Sequence, residues 1–314
     1  MIKNKKIFIT GGAGFLGKNI IKRYYNNNEI TIYSRDEAKH YYIKKQFPKI
    51  KCIIGDVADF NNLKRSSIGH QIGIFAASLK QIEAVDENCE VAVRTIINGA
   101  INSRRCAEEN NFESACFISS DKSRAATTLY GSMKFVAGEL FIVNDSESNV
   151  NLSTAIYGNV MNSTGSVIPL IWDSINNNYK LKLYSEEMTR FMLSIDEAID
   201  VIETALELDI SGYNIIPQAK SFFIKDLFEI YAEKFGLKYD ITKPRISEKI
   251  HEIMISNEEV PRITTMKHNN YYFMHHKTIF NEVKLINNEY SSKDYALTKE
   301  ELQNKLNEVK YYKP

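Results

Sequence analysis

Cysteine is scarce in this chain of 314 residues, with only Cys52, Cys89, Cys106 and Cys116. None forms a C-x-x-C pair, which excludes the usual zinc and thiol-redox motifs. Scattered reduced thiols fit a cytoplasm-like compartment. Histidine is also rare, and its one cluster, His275-His276, has no further ligands close in sequence, so no metal site is expected. An excess of one charge is missing too: the net charge of +1 gives no reason to expect nucleic acid or an anionic membrane as partner. No apolar run reaches the roughly 18 residues that a membrane span needs. Met1 to Lys6 pass straight into Ile7-Phe8-Ile9, too short a run for a signal-peptide core. What remains is an ordinary globular composition, 44% apolar and 25% charged, long enough for one large domain or two smaller ones.

The first half alternates strand and helix. Ile7 to Thr10 reads as a strand ending in glycines, and Leu16, Ile20, Ile21 and Tyr24 then recur at helical spacing. Further strands are expected at Ile30–Tyr33, Cys52–Ile54, Ile72–Phe75, Ala115–Ile118 and Leu152–Tyr157, with a long helix over 84–110 and another over 129–143. Such alternation predicts an α/β fold, a doubly wound parallel Rossmann sheet covered on both faces. Residues 1–160 form the expected dinucleotide domain, to which 190–219 returns. Residues 161–314, less regular, form the expected smaller substrate domain over the carboxyl ends of the strands.

Thr10-Gly11-Gly12-Ala13-Gly14-Phe15-Leu16-Gly17 joins the first strand to the first helix. A helix N-terminus offers free N–H groups and partial positive charge to a pyrophosphate. Gly11 and Gly14 permit the tight turn, and Gly17 lets the helix pack on the strand. After the second strand come Ser34 and Arg35, with Lys39 a turn later; these suit the 2′-phosphate of NADP. The rival reading gives Asp36 the ribose hydroxyls of NAD and leaves Arg35 as a solvated charge. Asp56 and Val57, after the third strand, stand either near the adenine or in an ordinary turn.

Tyr130 and Lys134 share one helix face. A free tyrosine, with a pKa near ~10, is a poor base at neutral pH. A nearby ammonium and a cationic nicotinamide favour the tyrosinate, which can then take a hydroxyl proton as hydride leaves the same carbon. Ser120-Asp121-Lys122 follows the fifth strand directly. Ser120 is placed to hydrogen-bond the reacting oxygen. Asp121 and Lys122 add an acid and a base that a simple alcohol dehydrogenase does not need; the plainer alternative is a helix N-cap beside a solvated lysine.

With these motifs the chain resembles the extended short-chain dehydrogenase/reductase family, and within it the nucleotide-sugar 4,6-dehydratases of the polysaccharide-biosynthesis group. That group includes inverting UDP-N-acetylglucosamine 4,6-dehydratases of the pseudaminic acid pathway. The resemblance runs through Thr10–Gly17, Tyr33–Glu37, Gly55-Asp56-Val57, Ala76–Lys80, Ser120-Asp121-Lys122, Leu129-Tyr130-Gly131, Tyr157–Val160, Gly165-Ser166-Val167, Met188–Phe191, Glu248–Glu252 and Tyr290-Ser291-Ser292. It implies that Phe15, Leu16, Ala76, Ala77, Lys80 and Tyr157 also line the cofactor. It implies Asn159, Ser166, Val167, Arg190, Arg245 and Glu248 as substrate contacts, and a homo-oligomer. It further implies that Tyr130, with Lys134 and Ser120, oxidises carbon four of the sugar. Lys122 then removes the proton on carbon five while Asp121 protonates the departing 6-hydroxyl. The chain departs from the family at Ile156 and Thr164, where arginines are usual, and at Gln81, Ile96 and Ile246-Ser247. Losing two arginines changes how a nucleotide diphosphate is held. UDP-N-acetylglucosamine is the first substrate expected. The alternative is an NADP-dependent epimerase or oxidoreductase of another activated sugar, CMP- or GDP-linked.

Overall fold

The computed structural model describes residues 2–143, 148–244, 246–264, 270–280 and 286–314. The first half runs β1 (Lys6–Thr10), α1 (Phe15–Tyr24), β2 (Glu29–Ser34), α2 (Glu37–Gln46), β3 (Lys51–Ile54), α3 (Phe60–Ser67), β4 (Ile72–Phe75), α4 (Ile82–Glu87), α5 (Cys89–Ala92), α6 (Gly99–Glu109), β5 (Ser114–Ile118), α7 (Leu129–Ile142) and β6 (Asn151–Ala155). The second half adds β7 (Asn159–Val160), α8 (Val167–Asn177), β8 (Leu181–Leu183), β9 (Thr189–Leu193), α9 (Ile195–Leu206), β10 (Tyr213–Pro217), β11 (Ser221–Phe223), α10 (Ile224–Phe235) and β12 (Tyr239–Ile241). It ends with β13 (Ile253–Ile255), β14 (Ile263–Thr264), β15 (Tyr271–His275), β16 (Tyr290–Ser291) and α11 (Lys299–Glu308).

The large sheet has the order β14-β15-β10-β6-β5-β4-β1-β2-β3. From β3 across to β10 the neighbours are parallel; β15 and β14 close the far edge antiparallel. Order reverses beside β1, which pairs with β2 on one side and β4 on the other. That reversal opens a crevice at the strands' carboxyl ends, where doubly wound sheets bind ligands.

Side chains alternate between the two faces of each strand. In β1, Ile7 and Ile9 pack on the face shared with α1 and α9, among Ile20, Ile21, Ile199 and Ile202. Phe8 points to the other face, among Tyr33, Phe75, Phe117 and Phe141. Ile7, Phe8 and Ile9 are all fully buried, worth roughly 1.5–3 kcal/mol for each side chain. A third apolar cluster joins α8, α10 and α11 through Ile168, Trp172, Leu227, Tyr231 and Leu302. Small sheets β11-β9-β7, β12-β8 and β13-β16 lie in this half.

Two expected elements differ. The long helix over 84–110 is α4, α5, a π-helical stretch Val93–Asn98, and α6. Gly99 N–H reaches back five residues to the Arg94 carbonyl, the mark of a π turn, which apolar spacing alone does not reveal. The sixth strand stops at Ala155, where Ile156 N–H donates to the Ile215 carbonyl and closes the last parallel pair with β10. No described helix is long and apolar enough to cross a membrane.

Candidate active site

The glycine loop closes tightly. Gly11 has φ +68°, donates to the Tyr33 carbonyl at 2.9 Å, and accepts from Gly14 N–H at 2.9 Å. A Cβ on Gly11 would lie 2.9 Å from the Ala76 carbonyl and the Ala77 nitrogen, so the loops after β1 and β4 meet backbone to backbone. Gly14 takes the N-cap position of α1 with extended φ/ψ and no side-chain cap, leaving the first N–H groups to other acceptors. Phe15, Leu16 and Gly17 begin the helix there.

Beyond β2, Asp36 is already occupied. Its carboxylate caps α2 through Lys39 N–H at 2.9 Å and pairs with Lys39 Nζ at 2.7 Å. Arg35 lies more loosely, 3.7 Å from Asp56, and is more than half exposed. Ser34 Oγ hydrogen-bonds His40 Nε2 at 2.7 Å, and burial pushes that buried histidine below its ordinary value. Val57 is buried beneath, and Asn102 holds its carbonyl at 2.9 Å. His40 carried no sequence signal beyond helical spacing.

Tyr130 and Lys134 come from the first two turns of α7, whose N-cap Thr128 accepts from Gly131 N–H at 3.1 Å. Both are buried. Lys134 Nζ donates to the Ile118 carbonyl at 2.5 Å and sits 4.3 Å from the Phe117 ring centroid. Burial pushes its pKa down to about 7. Burial also raises Tyr130, with Lys122 pulling the other way. Tyr157 is buried behind them, and its carbonyl accepts from Asp121 N–H at 3.2 Å.

Ser120, Asp121 and Lys122 begin a short 3-10 turn after β5. Ser120 Oγ donates to Asp121 Oδ1 at 2.9 Å, and Lys122 Nζ reaches the same oxygen at 3.2 Å. A Cβ on Gly131 would collide with the Lys122 carbonyl oxygen, so only glycine lets α7 approach this turn so closely. Lys122 Nζ also lies 3.2 Å from Glu252 Oε1. Burial would lower Lys122, but Asp121 and Glu252 together raise it above the ordinary lysine value. Burial raises Asp121, and Lys122 offsets only part of that rise.

The second half walls this cluster. Arg190 is buried, pairs with Glu248 at 2.7 Å, and donates to the carbonyls of Thr189 and Ile250 at 2.8 and 3.2 Å. Its fork is turned toward protein groups, which is what sequence reasoning could not see. Lys249 donates to the Arg124 carbonyl at 2.6 Å. A cleft lined by Lys122, Thr127, Thr128, Glu248, Lys249 and Glu252 opens over the cluster. Lys80 Nζ crosses from the loop after β4 to Ser163 Oγ at 3.1 Å and the Thr164 carbonyl at 2.6 Å. Asn159 Oδ1 and Ser166 Oγ are buried without a hydrogen-bond partner among the described residues, and Val167 begins α8 beside Ser166. Arg245 lies outside the described residues.

Sequence reasoning overlooked Glu252, Lys249 and Arg124 as members of this cluster. The run Glu248-Lys249-Ile250-His251-Glu252 held the signal, two acids and a lysine within five residues, but nothing in it pointed toward Lys122.

The family model described as Polysaccharide biosynthesis protein matches residues 7–276. The chain is 32% identical over 281 residues to the inverting UDP-N-acetylglucosamine 4,6-dehydratase of Campylobacter jejuni, covering 87% of this chain and 83% of that one. It is 32% identical over 286 residues to a UDP-glucose 4-epimerase of Rickettsia bellii, with 87% and 83% covered. The solved structure of Pen from Bacillus thuringiensis shares the fold, with a TM-score of 0.90 at 24% identity over 98% of this chain and 99% of that one.

Proposed function

The chain is an extended short-chain dehydrogenase/reductase of the polysaccharide biosynthesis protein family, and from that premise we propose that it is a nucleotide-sugar 4,6-dehydratase with NADP as its cofactor. The observation that carries this reading is the contact of Asp121 with Lys122, 3.2 Å apart, the carboxyl buried and the lysine half-buried, in the turn on which α7 and Tyr130 close. An epimerase of the family, such as the Rickettsia relative is named to be, needs Tyr130 and Lys134 but no second acid–base pair.

The residues present fit a nicotinamide dinucleotide. Gly11 lets the loops after β1 and β4 close backbone to backbone where a Cβ would collide, and α1 presents an uncapped N-terminus to a pyrophosphate. Asp36 already has a cap and a lysine to satisfy, which favours Arg35 and a 2′-phosphate over a ribose contact by Asp36. NADP, when bound, supplies the acceptor and later the donor of hydride. Tyr130 takes the proton of the sugar's 4-hydroxyl, with Ser120 beside the oxygen and Lys134 sustaining the tyrosinate. The resulting ketone acidifies carbon five. Lys122 removes that proton, and Asp121 protonates the departing 6-hydroxyl. Asn159, Ser166 and Val167, at the mouth of α8, with Arg245 and Glu248, are the proposed substrate contacts. Arg190 acts through Glu248 in this account rather than on a phosphate.

Residues 1–160 with 190–219 serve the cofactor in this proposal, and the remainder serves the sugar nucleotide, in a cytoplasmic enzyme. The exposed apolar side chains Phe135, Val136 and Leu140 of α7, with Ile101 of α6 and Val93 of the π-helical stretch before it, are the proposed face for a second copy of the chain.

Mass spectrometry of products from a panel of activated sugars, led by UDP-N-acetylglucosamine with CMP-, GDP- and dTDP-linked sugars beside it, tests the proposal. Loss of one water with no net cofactor turnover is the expected result. An unchanged mass with altered retention would favour epimerisation and overturn it.

A further inference from the structure

Glu252 is 3% exposed and directly precedes β13. Its Oε1 stands 3.2 Å from Lys122 Nζ, the same separation that Asp121 Oδ1 keeps from that nitrogen. The ammonium is therefore shared by two carboxylates, one from each half of the chain. Behind Glu252, Arg190 Nε and Lys249 Nζ each lie 3.7 Å away. Arg190 is itself bound to Glu248, and Lys249 to the Arg124 carbonyl. From α7, Tyr130 feels the charges of Lys122 and Asp121, while Lys80 feels Lys122 from the loop after β4. Glu252 Oε2 and Asp121 Oδ2 are buried and have no hydrogen-bond partner among the described residues. Oε2 faces Lys249 Nζ at 3.7 Å, too long for a hydrogen bond, so the close side-chain contact of Glu252 is the one from Oε1 to Lys122.

We infer that Glu252 is a positioning residue for elimination: it holds Lys122 against Asp121 and keeps one proton stored on that pair. The inference rests on the dehydratase reading. Burial opposes the ionisation of Glu252, but Lys122, Arg190 and Lys249 hold its carboxyl down to about 2, so the stored proton does not reside on Glu252. Elimination needs one shared proton and no more. That proton passes from Lys122 Nζ to Asp121 Oδ1, leaving a neutral amine and a carboxylic acid. The amine takes the carbon-five proton, the bond to the 6-oxygen breaks, and Asp121 gives its proton to that oxygen. Water leaves, a carbon–carbon double bond forms, and Lys122 and Asp121 return to ammonium and carboxylate. A second proton on the pair would remove the base; loss of the only one would remove the acid.

A negative charge at 3.2 Å from Lys122 makes the pair hold its proton to higher pH. In Glu252→Gln the alkaline limb of the kcat–pH profile is expected to move down by about one pH unit or more. Glu252→Asp, which keeps the charge but retracts it, is expected to fall between the two. Acylation of Lys122 by acetic anhydride at a series of pH values, read by peptide mass spectrometry without substrate, reports the same proton independently of turnover. Its midpoint is expected to fall in Glu252→Gln and by less in Glu252→Asp. An unmoved midpoint in these variants would overturn the inference, whatever reaction the protein runs. A lowered midpoint in a protein that removes water from no sugar nucleotide would instead overturn the dehydratase reading, and the role in elimination with it.

Discussion

Tyr130 and Lys134 give the sharpest expectations for single residues. Tyr130→Phe removes the proposed base while keeping the ring, and kcat is expected to fall by roughly 100-fold or more with cofactor binding retained. Steady-state kinetics with fluorescence titration of NADPH checks both parts. Lys134 makes a separate prediction about stability. Its pKa in the folded protein is about 7, well below the ordinary lysine value. Between those values the unfolded chain binds more protons than the folded one, so this residue's contribution makes stability rise with pH across that window. At lower pH the buried ammonium opposes folding in full. Lys134→Met is therefore expected to raise the melting temperature more at pH 6 than at pH 10 while abolishing activity. Thermal melts at the two pH values check it, and an equal shift at both would contradict the account.

At the scale of elements, the turn Asp121–Ser123 and helix α7 act together. Their contact depends on Gly131, where any side chain meets the Lys122 carbonyl. Gly131→Ala is expected to displace Lys122 more than Tyr130, so that elimination is lost while carbon-four oxidation persists. Accumulation of reduced nicotinamide absorbance on adding substrate is the readout. Arg124 anchors the other end of the same loop: it is fully buried, 2.6 Å from Glu259 and 3.2 Å from Asn214. Arg124→Met removes the closest cation from buried Glu259, leaving it Arg262 and the Ser256 N–H among the described residues, and is expected to cost about 3–5 kcal/mol in urea denaturation. The strands of the first half were legible because buried parallel strands read as short apolar runs, as in Ile72–Phe75. The helix 84–110 was not, because the extra residue of a π turn leaves the apolar pattern nearly unchanged. The strands β7, β13 and β16 were hidden for another reason. Two or three residues carry no period, and their pairing depends on partners far along the chain. Asp121, Lys122, Tyr130 and Lys134 were legible as candidates since their spacing is local. Glu252 was not, because its meeting with Lys122 spans the two halves of the chain.

For the whole molecule, residues of both halves line one cleft, and the exposed apolar side chains of α6 and α7 are the proposed surface for self-association. Phe135→Glu combined with Leu140→Glu is expected to convert a dimer or larger assembly into monomers, as read by sedimentation velocity. These side chains are 40% and 37% exposed and belong to none of the buried clusters, so the melting temperature of the monomer itself should change little. The central claim remains that the cleft joins an oxidising tyrosine to an eliminating acid–base pair. Incubation with UDP-N-acetylglucosamine in deuterated water, followed by mass spectrometry and NMR of the product, tests it most directly. The account predicts loss of one water, one solvent deuteron at carbon five, and no solvent deuterium delivered as hydride to carbon six, with Asp121→Asn losing the reaction. A product of unchanged mass with no solvent deuterium on carbon five would contradict it.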